Sequence, residues 1–196
     1  MSDKFKNKYR IPSARLKNWD YKSQAAYFVT ICTKDMLCYF GDITKGEMHF
    51  SDIGHVVNSE WLKTPAIRPD MNLVLDEFSV MPNHFHSIIV IGENEHNTQS
   101  WKTTDAGTSK NEKPASLRKH GNYTRNIFGP QSKNLSSIIG GFKSAVTKHA
   151  RLIDPDFAWQ PRFHDHVIRD SNEHERIALY IQHNVEKWDD DKFFRG

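Results

Sequence analysis

Two runs rich in β-formers, Leu73–Val80 (LVLDEFSV) and His84–Ile91 (HFHSIIVI), are separated by little more than the pair Pro82-Asn83. Proline presets φ and asparagine tolerates tight-turn geometry. A link this short cannot carry a crossover, so the two runs must pair as an antiparallel hairpin. The rest of the chain arranges itself around that unit. Tyr27–Thr33 (YFVTICT) reads as a buried first strand, followed by a meander containing Gly41 and Gly46. Ser51 or Asp52 caps a helix whose apolar positions Ile53, Val56, Val57 and Trp61 recur at helical spacing, with Pro65 as its stop. A second helix runs from about Asn134 to Leu152, with Leu135, Ile138, Ile139, Phe142, Ala145, Val146 and His149 on one face. Gly140-Gly141 in its middle costs about 1 kcal/mol per residue relative to alanine, which predicts a close approach to the backbone there. Trp159–Ile168 is a fourth strand, and Ser171 or Asn172, with Glu175 placed for a capping box, opens a last helix reaching Asn184. The order strand, helix, strand, strand, helix, strand, helix predicts an α+β fold: a ferredoxin-like split βαβ antiparallel sheet with an additional C-terminal helix.

A chain of 196 residues is expected to form one domain. Two segments stand apart from it. Residues 1–22 hold seven basic side chains, Lys4, Lys6, Lys8, Arg10, Arg15, Lys17 and Lys22, against Asp3 and Asp20. The net charge of +3 is therefore a local +5 on an N-terminal arm and −2 over residues 23–196. Residues 93–133 are dominated by Asn, Thr, Ser, Lys and Gly without a usable period, and read as a polar insertion in the domain. Nothing approaches the ~18–20 continuous apolar residues of a membrane span. MSDKFKNKYR lacks the hydrophobic core of a secretion signal, so a cytoplasmic location is expected. Cys32 and Cys38, the only cysteines, are too few for a disulfide framework and lack companion zinc ligands.

Residues two apart on a strand share a face about 6.6–7 Å apart, so His84 and His86 can converge on one cation while Phe85 faces away. His164 and His166, flanking Asp165, form a rival pair of the same geometry. The first pair continues into Ser-Ile-Ile-Val-Ile, an interior strand where two unpartnered imidazoles would be costly to bury. The last helix aligns Ile177, Tyr180, Ile181, Asn184 and Trp188 on one face. The Asn184 oxygen is a candidate third ligand, which would bring the Tyr180 hydroxyl near whatever the ion binds. The competing reading is a core aromatic at Tyr180 and a helix cap at Asn184.

MPNHFH, LSSIIGGFKSAVTK, WQPRFHDHVIRD and ALYIQHN followed by Trp188, in this order, resemble the REP-associated tyrosine transposases of the HUH-type single-stranded-DNA transposase superfamily. The likeness covers most of the chain except residues 93–133. It implies that His84, His86 and Asn184 ligate a divalent cation, Mg²⁺ or Mn²⁺, and that Tyr180 is the nucleophile. Val185 stands where the family commonly has proline. The implied activity is nicking and joining of single-stranded DNA hairpins through a 5′-phosphotyrosine linkage, by a monomer or by a homodimer with the tyrosine helix in trans. Lys143, Lys148, Arg162 and Arg169 are candidate DNA-backbone contacts, and Arg10 and Arg15 candidate base readers. A non-catalytic hairpin-binding regulator of the same fold, and a hydrolase using the histidines without the tyrosine, are the alternatives.

Overall fold

The structure, a computed structural model, describes residues 19–98 and 132–194, together with Leu16 and the backbone of two short paired strands, β1 (Lys4–Phe5) and β2 (Lys8–Tyr9). Arg10, Arg15 and most of the 93–133 insertion lie outside the described residues.

The hairpin forms as expected, with β6 (Leu73–Met81) and β7 (His84–Ile91) joined by Pro82-Asn83. β7 also pairs with β3 (Ala25–Cys32), and β3 with β8 (His164–Ile168), giving a four-stranded antiparallel sheet of order β6-β7-β3-β8. A separate hairpin, β4 (Gly41–Thr44) with β5 (Glu47–Phe50), replaces the meander. Its tip, Lys45-Gly46, has positive φ at both residues, the primed turn that two-residue hairpins favour.

Strand alternation divides the sheet. Tyr27, Val29 and Ile31 of β3 and Phe85, Ile89 and Ile91 of β7 are fully buried in the main core. There they meet Val57 and Trp61 of α1 (Asp52–Ile67) and Ile138, Phe142 and Val146 of α2 (Leu135–Ile153). Trp61, Phe85 and Phe142 pack mutually, Trp61 edge-to-face on both phenylalanines, at ring-centroid separations of 4.9–5.4 Å. Full burial of such side chains stabilises by roughly 1.5–3 kcal/mol each. On the opposite face Ile88, Phe28 and Ile168 receive Ile177 and Ile181 of α3 (Ser171–Gln182). His84 and His86 share that second face.

Four local expectations need correction. Pro65 does not end α1: it occupies the last turn, where one lost backbone bond is tolerated, and the helix runs on to Ile67. The fourth strand begins at His164, with Trp159 contributing only an isolated bridge to Thr33. α3 is capped by Asp170, whose side chain accepts from Glu173 N, so neither Ser171, Asn172 nor Glu175 has the assigned role. The same helix ends at Gln182, leaving Asn184 in the following turn. Of the two central glycines of α2, only Gly141 is closely approached: a Cβ there would lie 2.7 Å from Arg68 Nη2, while Gly140 faces open space. Arg68 uses that nitrogen to donate to the Ser137 carbonyl at 2.6 Å, so the contact is helix packing.

Candidate active site

His84 and His86 open β7 on the α3 face, opposite Cys32 and Thr30 of β3. Both are essentially inaccessible to solvent. Burial, with Lys192 close by, lowers both pKa values, that of His86 to about 3 and that of His84 well below the ordinary range. Both rings are therefore neutral near pH 7, the state in which imidazole ligates a cation.

The partners of each ring determine which nitrogen is available. Asn83, itself buried, donates both amide hydrogens to carbonyls, that of Met36 at 3.1 Å and that of Phe193 at 2.8 Å. Its Oδ1 is thereby turned to His84 Nδ1 at 2.9 Å, which must be the donor. The lone pair of His84 is left on Nε2, a buried atom with no hydrogen-bond partner among the described residues. His86 Nδ1 pairs with Thr30 Oγ1 at 2.9 Å, and its Nε2 lies 3.2 Å from the Tyr180 hydroxyl.

After α3 the chain turns back across the histidines. Trp188 is buried with its ring 5.9 Å from that of His84, and the Phe193 ring lies tilted at 4.6 Å. This return brings in Asp191: ligand atoms of His84, His86 and Asp191 all lie within 4.8 Å of one another, a group that could hold a metal ion. An orphaned buried Nε2, a second neutral imidazole and a carboxylate suit a divalent cation with open positions. Asp191 escaped sequence reasoning. Its only signal is membership of the acidic run Asp189–Asp191, which reads as a solvated stretch.

Tyr180 is 41% exposed, less inward than its helical phase suggests, with its ring edge-on to Phe28 at 6.3 Å and to His86 at 5.4 Å. Burial, followed by the negative charge of Asp191, pushes its pKa up to about 12, against which the Asn184 side chain pulls downward. Asn184 is buried; its Nδ2 lies near enough to influence the phenol yet outside hydrogen-bond geometry with any described group. The chain therefore brings His84, His86, Tyr180 and Asn184 together, and adds Asp191.

The rival histidines lie on the same face of the sheet, with His164 across Thr30 from His86, but have other surroundings. His166 Nε2 donates to Glu173 of α3 at 2.8 Å, and His164 is exposed. The cationic candidates divide as well. Lys143 donates to the carbonyls of Gln160 and Arg162, both at 2.8 Å, and burial lowers its pKa to about 8. With Lys148, Ser144, Thr147, Arg151 and Trp159 it lines an open cleft of about 530 Å³. Arg162 and Arg169 are exposed. No helix among the described residues is long and apolar enough to cross a membrane.

No protein-family model matches the sequence. An uncharacterised protein of Haemophilus influenzae is 34% identical over 183 residues, 93% of this chain and 92% of the relative. A solved REP-associated tyrosine transposase bound to a REP hairpin superposes with a TM-score of 0.52 at 16% identity, over 89% of this chain and 74% of that one. The chain thus belongs to one family with the Haemophilus protein, and it shares the fold of the solved REP-associated tyrosine transposase.

Proposed function

We propose that the protein is a metal-dependent transposase-type enzyme that nicks and rejoins single-stranded DNA through a covalent link to Tyr180. The observation that carries this reading is the juxtaposition, within one chain, of the Tyr180 hydroxyl 3.2 Å from His86 Nε2 and the unpartnered Nε2 of His84. His84 and His86 are the metal ligands in this reading, with Asn184 and Asp191 completing the set. Bound there, Mg²⁺ or Mn²⁺ would supply Lewis acidity to a phosphodiester and neutralise charge that builds on its oxygens.

The remaining chemistry belongs to the chain. A phenol with a pKa of about 12 is ionised only to about one part in 10⁵ at pH 7. Its proton must leave as it attacks; with His86 Nε2, the neighbour of the hydroxyl at 3.2 Å, turned to the cation, the Asp191 carboxylate whose charge acts on the phenol is the acceptor in this reading. Tyr180 Oη bonds to phosphorus, the bond from phosphorus to the 3′ oxygen breaks, and that oxygen departs as a hydroxyl once protonated. Attack of a 3′ hydroxyl on the phosphotyrosine reverses each step, so joining needs no other energy source. Asn83 and Thr30 hold the imidazoles in place, while Phe193 and Trp188 shield His84 from water.

The solved relative carries a REP hairpin, which makes a single-stranded DNA hairpin the substrate class to test. Lys148, Arg162 and Arg169 are free to meet phosphates. Lys143, already committed to two carbonyls, would shape the cleft and contribute less charge. Hairpin DNA from the flanks of the protein's own gene, incubated with Mn²⁺, is expected to give a protein-DNA adduct on a denaturing gel. Tyr180→Phe abolishes it while retaining DNA binding. Adduct formed by the Phe variant, or strand cleavage without adduct in the wild type, would exclude tyrosine attack.

A further inference from the structure

An acidic pair, Asp76-Glu77, interrupts the mostly hydrophobic β6. In a regular strand neighbouring side chains point to opposite faces. Here Asp76 Oδ2 accepts from His174 Nε2 at 2.6 Å and Glu77 Oε1 accepts from Gln182 Nε2 at 2.9 Å, so both reach the same helix, α3. The sheet register explains how. Leu75 pairs with Ile89 and Phe78 with Ser87, leaving Asp76 and Glu77 together opposite Ile88: a β-bulge that presents two consecutive acidic residues to one face.

At the other edge of the sheet, Glu173 of α3 accepts from His166 of β8 and from Arg169 N. Adjacent residues Glu173 and His174 therefore tie the first turns of α3 to the two opposite edge strands. The apolar contact between these ties is narrow, since Ile177 and Ile181 are the only buried residues of α3. Four apart, they lie along one line of the helix surface, and with only the partly buried Ala178 packing beside them in that cluster they constrain its roll about that line weakly. Tyr180 sits beside the line. A side-chain tip at roughly 5–6 Å from a helix axis moves about 1 Å for a roll of roughly 10°.

We propose that Asp76 and Glu77 are positioning residues: the β6 bulge clasps α3 through His174 and Gln182 and sets the roll that brings the Tyr180 hydroxyl to His86. The proposal rests on Tyr180 being the nucleophile as read above, but the clasp has its own observable. In Asp76→Ala/Glu77→Ala, backbone amides of α3 exchange faster with solvent while those of β7 are unchanged. Adduct formation at saturating hairpin DNA falls by about 10- to 100-fold, the order expected for a 1 Å misplacement, with DNA and Mn²⁺ affinities within about twofold of wild type. Asp76→Asn/Glu77→Gln keeps both acceptor oxygens and restores most of the rate. Should the alanine pair fail to fold, His174→Ala/Gln182→Ala removes the same ties from the helix side. A wild-type adduct rate, unchanged α3 exchange, or loss of Mn²⁺ affinity in step with adduct would each overturn the clasp. A wild-type protein that forms no adduct would remove the nucleophile reading instead, and amide exchange would then decide the clasp alone.

Discussion

Burial of His86 makes the stability of the metal-free protein sensitive to acid. Its folded pKa of about 3 lies below the ordinary value of about 6.5. The neutral ring therefore contributes its full share of stability above pH 6.5. Below that, the unfolded chain takes up a proton that the folded chain refuses, and stability is lost until the folded ring itself protonates near pH 3. Between pH 7 and pH 5 the loss from His86 alone is about 2 kcal/mol, which for a chain of this size lowers Tm by about 4–8 °C. His84, shifted in the same direction, adds to it. Thermal unfolding in EDTA at pH 7, 6 and 5 measures the slope, and His86→Gln isolates the contribution, because glutamine does not titrate. The variant is expected to lose about 2 kcal/mol less than wild type across this window, whatever its starting stability. Equal slopes in the two proteins would refute the claim that this imidazole is held neutral by desolvation.

Mn²⁺ at about 100 times its Kd is expected to stabilise the wild type by about 2.7 kcal/mol, a rise in Tm of roughly 5–11 °C. His84→Ala and His86→Ala should each remove that rise, and a rise surviving both would place the cation elsewhere. The two glycines of α2 should respond oppositely to the same change. Gly140→Ala meets nothing within 4 Å and should stabilise by up to about 1 kcal/mol. Gly141→Ala must displace the Arg68 guanidinium from the Ser137 carbonyl, which offsets the gain and leaves the net change near zero or unfavourable. Chemical denaturation of the two single variants distinguishes them.

What the sequence determines by itself is local and periodic. Pro82-Asn83 between two β-rich runs dictates a hairpin, and strand alternation puts His84 and His86 on one face with Phe85 on the other. Helical spacing likewise aligns Ile177 and Ile181, so those residues could be named from the chain alone, whereas Asn184 lies past the helix end at Gln182. Distances between elements are not encoded in any such period. Whether the last helix covers the histidine face, 94 positions away in sequence, depends on Ile88 and Phe28 meeting Ile177 and Ile181 across the sheet. Nor does any period show that His166 bonds to Glu173 of α3. Asp191 became a metal-site candidate only because the chain after α3 doubles back, tied through the Phe193 carbonyl to Asn83. The bulge at Asp76-Glu77 was equally illegible: an acidic dipeptide in a strand reads as one residue in and one out, and only pairing against β7 places both beneath α3. Periodicity decides which way a side chain faces along its own element, whereas long-range packing decides what it meets there.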